Sequence, residues 1–240
     1  MPHYPFGNDP AKVAGYQAFW NRDEVKRPLV GFSIKSWFPL QEFAASRVWE
    51  ETHVEFLTPE MVDPPAFMDD QVRLLREGDT MDDDILRGAS PSQAIPWLCG
   101  MLGSTLRVLP GNVLARDQKL SWDELEQIRL DHDHPWFCKY MEFAETLVKT
   151  ADGRFPVSHG TLIGPTDLFA AFRGHTQSLV DLLEEPQRTQ DMLWKFASIF
   201  QEITEELWKR VPLFYDGYFD AQYQLWVAGP IIRMQEDAIA

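Results

Sequence analysis

Short apolar runs, most of them entered or left through a proline or glycine, alternate with amphipathic stretches along this chain. No other feature narrows its fold as much. The runs RPLVGFSI (27–34), DDDILRGASP (82–91), FPVSHGTLIGP (155–165), PLFYDGYF (212–219) and PIIRMQEDA (230–238) read as buried strands. Between them, residues 11–22 (AKVAGYQAFWNR) read as an amphipathic helix. So does the stretch after Thr58-Pro59-Glu60, with its apolar Phe67, Val72, Leu74 and Leu75, ending by Gly78. DLFAAFRG follows Gly164-Pro165 as another helix. A long one spans about 187–210, with Leu193, Phe196, Ile199, Phe200, Ile203 and Leu207 on its apolar face. Buried strands that alternate with amphipathic helices predict a parallel α/β sheet.

Composition removes several function classes. Nine Trp and sixteen Phe in 240 residues supply ample core, so the chain is expected to fold. With 22 basic against 37 acidic residues the net charge is -15. Such a surface repels phosphate backbones and anionic lipid, so neither nucleic acid nor membrane is an expected partner. No stretch approaches the roughly 18 apolar residues of a spanning helix, and the N-terminus lacks a secretory pattern. Two cysteines, Cys99 and Cys138, without zinc-type spacing fit a reducing cytoplasm.

Four ordered segments carry a resemblance. They are RPLVGFSIKSWFP (27–39), FLTPE through DDDILRGASP (56–91), FPVSHGTLIGPTDLFAAFRGHTQSLVDLLEEPQRTQDML (155–193) and QLWVAGPIIRMQEDA (224–238). Together they resemble the uroporphyrinogen decarboxylase-like superfamily, which also holds the corrinoid-linked and coenzyme M methyltransferases. The resemblance implies a (β/α)8 barrel, here its N-terminal portion, with residues 1–240 forming one domain. The chain ends just after an apolar strand, so the barrel is expected to be incomplete at the C-terminus.

The same resemblance nominates site residues. Asp84 matches the catalytic aspartate of the decarboxylases, where a carboxylate offsets positive charge that develops on the substrate. On residues alone, Asp82, Asp83 and Asp84 read equally well as a solvated acidic turn. Asp237 matches a family acid at the end of its strand. His159, in PVSHGTL, is expected either to point into the barrel mouth or to be a satisfied core histidine. Trp37, Trp97, Tyr218 and Trp226 are candidates to wall a flat apolar cavity, with core packing as the alternative. Asp167 is a candidate substrate contact or a helix first-turn acid. Arg173 is either an anchor for a substrate carboxylate or, as favoured here, a helix C-terminal charge. His132 and His134 flank a helix start at Pro135 and read mainly as part of an acidic cap.

Where the decarboxylases carry two arginines for substrate propionates, this chain has Phe32 and Ser36. The position of their active-site tyrosine falls near Ala171 or Phe172, and that of a later serine on Ala238. Eight substrate carboxylates need arginine forks, so the naming reaction of the family is not expected. The methyltransferase branch is the preferred reading: transfer of a methyl group between a small donor, a corrinoid and a thiol-type acceptor. It implies zinc, a corrinoid, a small-molecule substrate and a corrinoid-carrying partner protein. Zinc ligands of the His-x-Cys and distant Cys type would lie beyond Ala240. A carboxy-lyase acting on a tetrapyrrole-like substrate and a non-catalytic corrinoid- or protein-binding barrel are the alternatives.

Overall fold

The computed structural model describes residues 10–24, 26–32 and 40–238. The chain is a mixed helix and strand protein in which helices dominate. In order they run α1 (Pro10–Asn21), α2 (Ala44–Glu51), α3 (Met68–Asp79), α4 (Trp97–Met101), α5 (Trp122–Gln127), α6 (Pro135–Ala151), α7 (Pro165–Arg173), α8 (His175–Glu184) and α9 (Pro186–Trp208). The strands are short: β1 (Phe56–Leu57), β2 (Leu106–Leu109), β3 (Asn112–Ala115), β4 (Leu162–Ile163), β5 (Tyr218–Asp220), β6 (Leu225–Val227) and β7 (Met234–Gln235). No described helix is long and apolar enough to cross a membrane.

The helices follow their sequence signals. α9 buries Phe196, Ile199, Phe200, Ile203 and Leu207 along one face. α6 starts at Pro135, and its cap is His134 itself, whose Nδ1 accepts the Trp136 N–H at 3.2 Å. Ser121 and Glu124 form a reciprocal capping box on α5.

The strands depart from expectation. Among the described residues only β4 and β7 form a parallel ladder; β1–β2–β3 and β5–β6 are antiparallel. Residues 27–32 and 82–88 form no strand ladder, because their N–H groups go elsewhere. Asp84 donates its N–H to the Val30 carbonyl at 2.9 Å, but Val30 N–H goes to the Asp84 carboxylate and Phe32 N–H to the Asp83 carboxylate. A side chain that takes the place of a strand carbonyl ends the ladder after one rung. Further along, a single parallel bridge joins Ala89 to Val157, beside Pro156, which has no N–H to give. The hairpin β2–β3 was not expected from the sequence. It turns through Pro110-Gly111, where Gly111 has φ 73, a conformation that favours glycine.

Even so, extended segments near Val30, 84–89, 157–163 and 234–235 neighbour one another in chain order. Each connection between them contains helices. Small sheets result, and no closed barrel forms among the described residues.

The buried apolar side chains form two clusters, and residues of these segments belong to both. The larger contains Phe67, Trp97, Trp136, Tyr140, Phe143, Phe169, Phe172 and Phe196, interlocked mainly edge-on and tilted. The smaller joins Val13 and Tyr16 of α1 to Leu86, Phe214, Phe219 and Trp226.

Candidate functional site

A cavity of about 520 Å3 opens on the seam between the two clusters, within the roughly 300–1,000 Å3 of small-molecule sites. Leu74 and Leu75 of α3 and Phe43 line it from the side of the larger cluster. Tyr16, Leu29, Ile85 and Leu225 line it from the smaller. The hairpin tip Ala221–Gln224 closes one end. That tip is tied down by Gly88 N–H to Gln224 Oε1 at 2.8 Å and Ala221 N–H to Ser158 Oγ at 3.0 Å. The Tyr16 hydroxyl also donates to the Gln224 carbonyl, and burial pushes the Tyr16 phenol up.

Against these apolar walls stands a polar patch. Gln71, Arg87, Ser90 and Gln93 are all buried and all line the cavity. Ser90 and Ser92 pair their hydroxyls at 2.6 Å. Arg87 Nη2 donates to Asp83 Oδ2 at 2.5 Å, and Lys12 Nζ lies 3.8 Å from Asp83 Oδ1. The Asp83 side chain is 1% exposed, so two cations share one buried anion. Removing that anion would take a charge-assisted hydrogen bond from Arg87 and a nearby counter-charge from Lys12.

Seven of the eight nominated residues are described, and none of the seven lines the cavity. Trp37 lies outside the described residues. Asp84 holds Arg27 through both carboxylate oxygens, Nη2 to Oδ1 at 2.8 Å, and accepts the Val30 N–H at 2.9 Å. The Arg27 hydrogen bond, with the Val30 N–H next, keeps its carboxyl below the ordinary range. His159 is buried; Nδ1 donates to the Gly160 carbonyl at 2.8 Å and Nε2 accepts the Arg233 N–H at 3.4 Å. Desolvation holds its pKa below the usual value, against the pull of Asp220. Trp97 packs between Trp136 and Tyr140 in the larger cluster. Trp226 is buried and donates Nε1–H to the Phe214 carbonyl at 2.7 Å. Tyr218 packs edge-on against Trp208.

Asp167 and Asp237 do come together, through backbone. Asp167 Oδ1 accepts the N–H groups of Asp237 and Ala238, each at 2.7 Å, while the Asp237 side chain takes a hydrogen bond from Gln235. The neighbouring Glu236, which the sequence did not single out, caps α7. Its Oε2 accepts from Thr166 N–H at 3.1 Å and from the Thr166 hydroxyl. A Cβ at Gly164 would collide with this carboxylate. The α7 N-terminus is thereby occupied from within the chain. Arg173, at the other end of α7, pairs with Asp181 at 2.5 Å and lies over Trp122.

Among the described residues, no group of three or more His, Cys, Asp or Glu side chains could hold a metal ion. Cys99 is buried, and desolvation pushes its thiol up to about 12, far from a ligating thiolate. Sequence reasoning also missed Gln71, Ser90 and Gln93. The run GASPSQAIP, crowded with turn formers between two apolar stretches, was the available signal. No family model, curated protein or solved structure matches the chain.

Proposed function

We propose that this chain is a barrel-type α/β protein of the uroporphyrinogen decarboxylase-like kind. It binds a small, largely apolar molecule in the seam cavity and, following the branch it resembles, transfers a methyl group. The observation that carries this reading is the cavity: apolar walls from two clusters and one buried polar patch, placed along extended segments that neighbour one another in chain order. Ligand sites of α/β proteins favour such seams.

The cavity wall also favours this branch over the decarboxylases. Phe32 lines the cavity where those enzymes place an arginine. The guanidinium that is present, Arg87, is already held by Asp83. An octa-acid would find few donors here.

The test follows loss of methylcobalamin absorbance with 2-mercaptoethanesulfonate as acceptor, for the wild type and for Leu74→Trp, which sets an indole into the cavity. Turnover by the wild type and none by a folded Leu74→Trp is the expected result. A folded wild type that moves no methyl group overturns the methyl-transfer reading.

A further inference from the structure

The hairpin tip that closes the cavity is held from several directions at once. Asp220, 2% exposed, accepts the N–H groups of Gln222 and Tyr223 at 3.4 and 2.9 Å. Ser158 holds Ala221, and Gly88 holds Gln224. One further tie runs through side chains alone. Arg233 Nη1 donates to Thr161 Oγ1 at 2.9 Å, and Thr161 in turn donates its hydroxyl hydrogen to Gln222 Oε1.

This chain of bonds fixes which end of the Gln222 amide is left over. A guanidinium only donates, so the single Thr161 hydrogen goes to the amide oxygen. Gln222 lines the cavity, and with its oxygen engaged the group it can still offer is Nε2, which carries two N–H donors. Nε2 meets no acceptor among the described residues. Nor is it sealed inside the protein: the buried side-chain atoms that lack a hydrogen bond all lie on other residues.

Charge points the same way. The whole chain stands at -15, yet none of the described residues lining the cavity is acidic, and the charged one among them is Arg87. Arg233 lies over the Tyr223 ring at 4.9 Å and forms no ion pair with a carboxylate among the described residues. Its charge polarises the Thr161 hydroxyl and, through it, the Gln222 amide, which strengthens the N–H donors at the far end.

We infer that Gln222 is a recognition residue, and that its Nε2 donates to the carboxylate of a small acid whose remainder is apolar. This rests on the cavity being the ligand site, as proposed above. One carboxylate asks for few donors, where an octa-acid asks for many. The apolar remainder lies against Leu74, Leu75 and Ile85. An ammonium ligand would meet N–H donors and a guanidinium, with no acidic side chain among the described lining residues to receive it.

Three fluorinated probes of one shape separate the possibilities: 4-fluorobenzoate, 4-fluorotoluene and 4-fluorobenzylammonium. The first is an anionic acceptor, the second has no polar group, and the third is a cationic donor. Fluorine NMR titration of the whole chain at neutral pH should show the benzoate bound about tenfold tighter than the toluene, equivalent to 1.4 kcal/mol, and the ammonium weakest. Gln222→Glu keeps an oxygen for Thr161 and replaces the N–H donors by a second oxygen. It should reverse the order in favour of the ammonium, with toluene affinity within about twofold of the wild type. Should Gln222→Glu fail to fold, Gln222→Met should bring the benzoate down to the level of the toluene. Benzoate bound no tighter than toluene by the wild type, or a benzoate preference that outlasts either substitution, overturns anion recognition at Gln222 and leaves the cavity reading standing. Binding of none of the three probes, or binding that Leu74→Trp leaves unchanged, overturns the cavity reading and this inference with it.

Discussion

The two apolar clusters are built on different physics. The larger is held by interlocking rings: Trp97 meets Trp136 at 5.8 Å, Tyr140 at 5.5 Å and Phe143 at 6.0 Å. Gly100 lets Trp136 approach closely, since a Cβ there would lie 3.1 Å from its ring. The smaller cluster has fewer buried side chains, four of its six being aromatic, and polar ties around it add to its definition. Lys12 and Arg87 converge on Asp83, the Tyr16 hydroxyl reaches the Gln224 carbonyl, and Gln224 reaches Gly88. Packing alone tolerates small volume changes by repacking, whereas a buried polar network fails when one member is lost. A cavity between two such regions can keep rigid apolar walls on one side and an oriented polar patch on the other. That is the combination a selective small-molecule site needs.

The comparison can be broken from either side. Phe143→Ala, in the ring-packed cluster, should cost about 3–5 kcal/mol, read from the urea midpoint. Its effect should change little with pH, because the residues around it are apolar. Asp83→Asn, in the polar-tied region, should cost about 1–3 kcal/mol by taking a buried, charged acceptor away from Arg87 and Lys12. Hydrogen exchange should show the loss concentrated in α1 and the 82–88 segment, with α6 still protected. Equal loosening of α6 would mean that the two regions do not differ as described.

A smaller effect should come from His159, which joins the segment leading into β4 to the backbone at Arg233. Burial lowers its folded pKa, with Asp220 opposing and Arg233 assisting. The neutral ring therefore stabilises the fold fully above its ordinary value of about 6.5. As pH falls from there through the folded value, the unfolded chain binds the extra proton and stability is lost. Urea midpoints between pH 8 and 5 should fall for the wild type and flatten for His159→Gln. An unchanged slope in that variant would assign the pH dependence to other groups.

Legibility in the sequence tracked the range of the interactions involved. α1, α7 and α9 fall within a residue or two of their expected limits, since spacing of apolar residues and prolines at the first turn are local signals. The start of α6 at Pro135 was equally plain, although its cap proved to be His134 and not the acids beside it. Strands were legible as apolar runs but not as ladders. The partners of Val30 and Phe32 are carboxylates more than fifty residues away, so nothing near those residues announces the break. The acidic trio at 82–84 illustrates the limit. The residues there read as catalyst or solvated turn; in the fold Asp83 and Asp84 accept backbone N–H groups, Asp83 also meeting the buried Arg87 and Lys12 and Asp84 the exposed Arg27.

The sequence by itself determined the helices, the alternation that makes this a mixed α/β chain, and enough aromatic mass for an interlocked core. Only the tertiary structure decided which polar groups meet. It set Asp83 between Lys12 and Arg87, Glu236 on the start of α7, and Gln222 beside the cavity with its oxygen turned to Thr161. Periodicity is written along the chain because a helix or strand repeats it locally. A buried polar partner is chosen by position in space, and residues far apart in the chain carry no mark of one another until the chain is folded.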